Sequence, residues 1–189
     1  MAQNLSSDVG VQLLANSLAT VGALTSLIWM FGPISGAHFN PVVTLSQCGL
    51  NGLSWSNLLP YFIAQTTGGI AGAATANAMF ELDILGPSTK VREGGGIWLG
   101  EVVATVTLLL IVHLIGRRNS GLVPVAVGIW IGGAYWFTSS TSLANPSVTI
   151  ARAFTESFAG IAPASVLMFI VMQLAGLALA LPLIHLLDR

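Results

Sequence analysis

Charge is what this sequence has least of. Only 7% of its 189 residues are Asp, Glu, Lys or Arg, against about 25% in a soluble domain, so a water-facing surface cannot be built from it. The scarcity is also local: no charged side chain occurs from Val9 to Phe80, nor from Asn119 to Ala151. Such gaps exclude a soluble enzyme and a disordered tail. A net charge of −1 offers none of the electrostatic attraction that a nucleic-acid partner requires. One cysteine, Cys48, excludes an internal disulfide and a multi-cysteine metal site, and it is read as a small buried apolar residue. A basic N-terminal region is lacking too, and the first apolar run is too long for a secretory leader, so none is expected.

What is present is hydrophobic, with 54% apolar residues and a mean hydropathy of +0.83. Crossing a bilayer takes roughly 20 mostly apolar residues, and five segments qualify or nearly so: Val9–Phe31, Leu58–Phe80, Gly96–Ile115, Leu122–Thr138 and Ala162–Leu187. Ionisable side chains gather between them: Glu81, Asp83, Lys90, Arg92 and Glu93 in one loop, Arg117 and Arg118 in another, and Asp188 and Arg189 at the end. If spans alternate, Lys90, Arg92 and Arg152 face one side and Arg117, Arg118 and Arg189 the other, which leaves orientation undecided. The 21 glycines, with runs such as Gly68-Gly69-Ile70-Ala71-Gly72, suit close helix packing in lipid.

Two stretches repeat. Ser35-Gly36-Ala37-His38-Phe39-Asn40-Pro41-Val42-Val43-Thr44-Leu45 aligns with Ser140-Thr141-Ser142-Leu143-Ala144-Asn145-Pro146-Ser147-Val148-Thr149-Ile150, 105 positions downstream. Gln65-Thr66-Thr67-Gly68 recurs as Gln173-Leu174-Ala175-Gly176. Asn is a strong N-cap and Pro is favoured at the first helical position, so each motif predicts the start of a short half-helix. Three spans separate the motifs. That odd number brings them in from opposite faces, with the half-helices meeting tip to tip near the bilayer midplane. Two positive dipole ends and two Asn amides at one point repel cations and reorient a passing water or hydroxyl.

At these residues the chain resembles the aquaporin and aquaglyceroporin (major intrinsic protein) family, over nearly its whole length. The third motif residues, Val42 and Ser147, depart from the family's Asn-Pro-Ala. The resemblance implies an all-α membrane protein: an inverted-repeat helical bundle with two re-entrant half-helices, passive conduction, no cofactor, no catalytic or metal site, and a homotetramer. It implies the cell (inner) membrane, the Arg117–Arg118 loop in the cytoplasm, and a structural role for Glu101 as a buried acid bracing a re-entrant loop. Carried over by spacing from the two asparagines, the family's selectivity filter falls on Thr20, Gly133, Ser142 and Val148. Here it lacks the usual Arg, His and aromatic residues. A wide, neutral, mildly polar opening suits glycerol and metalloid hydroxides such as arsenous and antimonous acid. Val148 with the downstream Ala151-Arg152-Ala153-Phe154-Thr155-Glu156 is similar to bacterial aquaglyceroporins associated with arsenic resistance.

Arg152 has two readings: a vestibule charge displaced outward from the filter, or a partner of Glu156 four residues on, the pair being preferred. His38 is a vestibule candidate, or a neutral ring satisfying a loop carbonyl. His113 and His185 are expected at the interface. A coupled secondary transporter also uses broken helices, but Glu101 is a lone intramembrane acid. A chain without transport of its own is the third reading, because the first-half counterpart of Glu101 would fall before Met1. The expected domain is therefore 1–189, with an incomplete first repeat at 9–80 and a complete second one at 96–187. Five spans place the termini on opposite faces, with a groove along Val9–Phe31 and Leu58–Phe80.

Overall fold

A computed structural model describes residues 1–50 and 52–187; Asp188 and Arg189 lie outside the described residues. A short helix α1 (Ala2–Leu5) precedes α2 (Val9–Ser35), whose first turn is capped by Asp8, the carboxylate accepting from Val11 N at 2.9 Å. Then come the short α3 (Pro41–Gly49) and the long α4 (Leu58–Met79). α5 (Gly95–Leu110) continues through a π-helical turn at Ile111–Ile115 into α6 (Gly116–Arg118). After a 3-10 turn at Ser120–Leu122 follow α7 (Val123–Phe137), the short α8 (Pro146–Ala151), a 3-10 turn at Arg152–Phe154, and α9 (Pro163–Leu187).

Four helical stretches are long and apolar enough to cross a membrane: Val9–Ser35, Gly95–Arg118, Ser120–Phe137 and Pro163–Leu187. The fifth expected span is helical over Leu58–Met79 but is not among those four. Its polar side chains explain the shortfall, since they serve the bundle rather than lipid. Gln65 donates to Thr44 of α3, Thr66 bonds Ser147 of α8, and Asn77 donates to the Phe154 carbonyl.

The helices pair: α5 lies along α9, α2 along α7, and α4 leans on α8. Close approach is set by single glycines. At Gly176 of α9 a Cβ would lie 2.8 Å from Thr105 Cβ and 3.1 Å from the Val102 carbonyl, and at Gly128 of α7 it would meet Thr25 Oγ1 and the Val21 carbonyl. Without side chains there the backbones approach closely enough for dispersion to hold them where lipid gives no hydrophobic drive. The repeat is unequal here. Gly68, which occupies the position of Gly176 in the first half, has nothing within 4 Å.

The two ends of the bundle carry different residues. Gln3 Oε1 accepts from Phe158 N at 3.0 Å, and Lys90 and Arg92 also bond the Phe158 carbonyl. At the other end Pro182, His185 and Leu186 border a hollow with Gly49 and Leu50, and Leu50 shares a second hollow with Arg117 and Gly121. The N-terminal residues and the end of α9 therefore lie at opposite ends. His113 is not interfacial: it is buried, with Nε2 2.8 Å from Ser46 Oγ.

Candidate functional site

The Asn-Pro sequences start helices as their chemistry dictates. Asn40 caps α3 by accepting from Val42 N at 3.1 Å, and Asn145 caps α8 by accepting from Ser147 N and Val148 N at 3.0 and 3.2 Å. Pro41 and Pro146 occupy the first positions, where a missing N–H is no loss. The tips are then tied crosswise. Asn40 Nδ2 donates to the Ala144 carbonyl at 2.7 Å, and Asn145 Nδ2 donates to the Phe39 carbonyl at 2.8 Å. Each asparagine thus bonds the residue preceding the other. One hydrogen of each amide is used in this exchange, and each amide carries a second.

The loops leading into the tips are strained in matching places. Ala37 and Phe39 have φ of 47°, and Ser142 and Ala144 have φ of 48° and 46°. Side chains rarely adopt this left-handed region, at about 1–2 kcal/mol each, so the surroundings must hold the loops. In the second half Glu101 does so. Fully buried, its carboxylate accepts from Leu143 N at 2.9 Å, Ala144 N at 2.8 Å and Gln173 Nε2 at 2.6 Å. Gln173 also donates to Thr149 Oγ1, as Gln65 does to Thr44 Oγ1. No acid stands opposite Gln65 among the described residues, and Gln65 Oε1 is buried without a partner.

Between the tips and α7 lies a cavity of about 190 Å³, lined by both asparagines, by the strained loop residues, and by an apolar wall that includes Leu24, Val43, Leu108 and Val127. Thr20, Ser142, Val148, His38 and Arg152 all border it. Ser142 Oγ is buried there with no partner. The His38 ring bonds Thr44 Oγ1 through Nδ1 at 3.1 Å and lies 5.1 Å from the Tyr61 ring. Val42 is buried and Val43 takes its place on the wall, while Ser147 faces sideways to Thr66. The cavity shares the lining residues Ile28, Gly36 and Gln47 with a hollow of about 730 Å³ that is also bordered by His113 and Arg117. A lateral hollow of about 370 Å³, which shares Phe39 and Val148 with the 190 Å³ cavity, runs along Gln65, Gly68 and Gly69 of α4.

Gly133 departs from the spacing argument. It does not line the cavity and instead faces the Phe137 ring, 3.3 Å from a Cβ built there. Gly128 and Gly132 face α2, and at about 100° per residue this turns Val123, Val127, Ile131 and Tyr135 to the lumen and Gly133 away from it. Tyr135 is the side chain that spacing missed. The i, i+4 stripe ending on it, beside a glycine pair marking the packed face, was the available signal.

Arg152 departs from its preferred reading as well. Its guanidinium donates to the Tyr135 hydroxyl at 2.8 Å, and the Glu156 carboxylate instead accepts from Thr89 N and Thr89 Oγ1. Arg92, which no local motif announces, is buried and bonds the carbonyls of Gly160 at 2.9 Å and Ser140 at 3.2 Å. Burial, then the neighbouring Arg152, lower its pKa. Lys90 is lowered by burial and by the charges of Arg92 and Arg152, against an opposing effect of Glu156. Of the three, Arg152 lines the cavity, while Arg92 and Lys90 stand outside its lining, near enough to feel the charge of Arg152.

Crosswise-tied half-helices beside a cavity agree with what sequence comparison finds. Residues 1–141 match the model of the major intrinsic protein family. The chain belongs to that family. Among its relatives, aquaglyceroporin AqpS of Rhizobium meliloti is 43% identical over 185 residues, which cover 98% of this chain and 79% of that protein. Aquaporin-8 of Notomys alexis is 34% identical over 137 residues, covering 65% of this chain and 51% of its own length. The probable aquaporin AqpM of Archaeoglobus fulgidus is 28% identical over 155 residues, covering 74% and 60%. The chain thus spans about half of the second relative's length and three-fifths of the third's. Membership of the major intrinsic proteins makes it a multi-pass membrane protein of a channel family and not an enzyme.

Proposed function

We propose that the chain conducts small uncharged hydroxylated solutes passively, glycerol and metalloid hydroxides such as arsenous or antimonous acid, with water as a further permeant. The observation that carries this reading is the pair of asparagine-capped tips facing one cavity of about 190 Å³. There the second hydrogens of the Asn40 and Asn145 amides serve a hydroxyl oxygen, while an apolar wall accepts a carbon or metalloid face. Both tips present their positive ends to the same point, which disfavours cations. The filter is assigned to Thr20, Ser142 and Val148, the spacing-derived residues that border the cavity, with Asn40, Pro41, Val42, Asn145, Pro146 and Ser147 building the tips, His38 in the vestibule, and Glu101 as brace. The functional unit is a single channel domain over 1–189 built of unequal repeats, in the cell's inner membrane and as a homotetramer, as the family resemblance implies.

The test is solute flux into proteoliposomes containing the full chain, followed by light scattering for glycerol and by direct uptake for arsenous acid. Non-saturating flux that ignores proton and sodium gradients is expected. Saturable uptake that follows an ion gradient would overturn the channel reading in favour of a coupled transporter.

A further inference from the structure

The end of the cavity beyond Val148 holds a hydrogen-bonded chain that shares Thr20 with the spacing-derived filter and otherwise lies outside it. Arg152 follows Val148 by four residues, so it sits one helical turn further out on the same face, at the start of the 3-10 turn Arg152–Phe154. Its Nη2 donates to Tyr135 Oη at 2.8 Å, Tyr135 Oη lies 3.3 Å from Thr20 Oγ1, and Thr20 Oγ1 donates to the Asn16 carbonyl at 2.9 Å. The hydrogens can be ordered. A threonine hydroxyl has one, and it goes to Asn16; a guanidinium only donates; so the tyrosine hydrogen points to Thr20. The chain runs one way, from Arg152 through Tyr135 and Thr20 to the α2 backbone. It ties three separate elements together across the cavity.

Its end on Arg152 is unspent. The guanidinium has five N–H donors, and among the described residues one carries a hydrogen bond, to Tyr135. Glu156, the nearest acid in sequence, is turned to Thr89. Arg92 and Lys90, which feel the charge of Arg152 from outside the cavity lining, are both held on backbone carbonyls.

We propose that Arg152 is the specificity-determining charge of this end of the cavity, aimed across the lumen by Tyr135 as its positioning residue, and that it bars cations while offering free N–H donors to the oxygens of a passing neutral solute. The proposal rests on the channel reading. It moves the fixed positive charge from the position of Val148 to the next turn, and it gives Thr20 the part of an anchor instead of a free donor.

The experiment reconstitutes the full chain and its variants in vesicles and planar bilayers, with glycerol flux and K+ conductance measured on the same preparations. Losing a fixed charge at close range in a partly desolvated opening is expected to raise K+ conductance roughly tenfold in Arg152→Gln, with glycerol flux retained. Arg152→Lys keeps the charge and should stay near wild type. Tyr135→Phe keeps the ring, loses the bond and should raise K+ conductance about threefold, with no added effect in the Arg152→Gln background. K+ conductance unchanged in Arg152→Gln with glycerol flux intact would overturn the proposal alone. Absence of glycerol flux and of K+ conductance in every preparation would overturn both it and the channel reading. An equal Tyr135→Phe effect in both backgrounds would overturn the positioning role. Should Arg152→Gln fail to assemble, Tyr135→Phe against wild type carries the decision.

Discussion

At the scale of single residues, Glu101 shows how an acid in an apolar bundle earns its place by hydrogen bonding. Its carboxylate accepts from two backbone N–H groups of the strained loop before Asn145 and from Gln173. Removing it leaves those donors buried without acceptors, at about 1–3 kcal/mol for each orphaned group. Glu101→Ala should therefore lower the unfolding midpoint in detergent by several degrees, and Glu101→Gln should lower it less, because the amide oxygen still accepts one bond. Thermal unfolding followed by circular dichroism checks the order. Equal midpoints for wild type and Glu101→Ala would show that the loop holds its shape unaided. The residue scale is also where the sequence was most and least legible. Asn40 and Asn145 announce their caps because capping is local, set by one side chain and the next three N–H groups. The lumen-facing Tyr135 could not be reached by counting back from Asn145. Counting assumes a fixed face for α7, and that face is set by Gly128 and Gly132 against α2 more than a hundred positions away in the chain.

At the scale of elements, the two halves repeat in sequence but not in packing, and the difference concentrates on one pair of glycines. Gly176 is pressed by Thr105 and the Val102 carbonyl, while Gly68 at the matching position meets nothing. Gly176→Ala must push α5 and α9 apart, costing about 1–3 kcal/mol as overpacking does. The same change at Gly68 meets open space and replaces a poor helix former by the best one, a gain of up to about 1 kcal/mol. Opposite shifts of the unfolding midpoint are expected, the first down and the second level or up. A destabilised Gly68→Ala would mean that a further element covers α4 in the assembled protein. The half-helices were legible as elements for a related reason, since a capped start and a run too short to cross leave few alternatives. The polar content of α4 was visible as well, but its use was not. That Gln65, Thr66 and Asn77 turn inward to α3, α8 and the loops depends on helices arriving from elsewhere in the chain.

At the scale of the whole molecule, the order of helices fixes which loops share an end, and chemical labelling reads that order directly. Asn4 and Phe158 border one hollow, at the end that also carries Lys90 and Arg92. His185 borders another with Leu50, which in turn sits beside Arg117 and Ser120. Cys48, the one native cysteine, is 1% exposed and should resist a membrane-impermeant maleimide in intact vesicles. In a Cys48→Ala background, single reporters at Asn4→Cys, Ser120→Cys and His185→Cys then test the arrangement. The bundle predicts that Ser120→Cys and His185→Cys react from the same side, and Asn4→Cys only from the other. Reaction of Asn4→Cys and His185→Cys from one side would require an even number of crossings. Since α2, the α5–α6 helix, α7 and α9 are all long and apolar enough to cross, the discrepancy would fall on α4, the least apolar of the long helices. The same outcome would also undo the tip-to-tip meeting of α3 and α8, which needs three crossings between Asn40 and Asn145 to bring the two half-helices in from opposite faces.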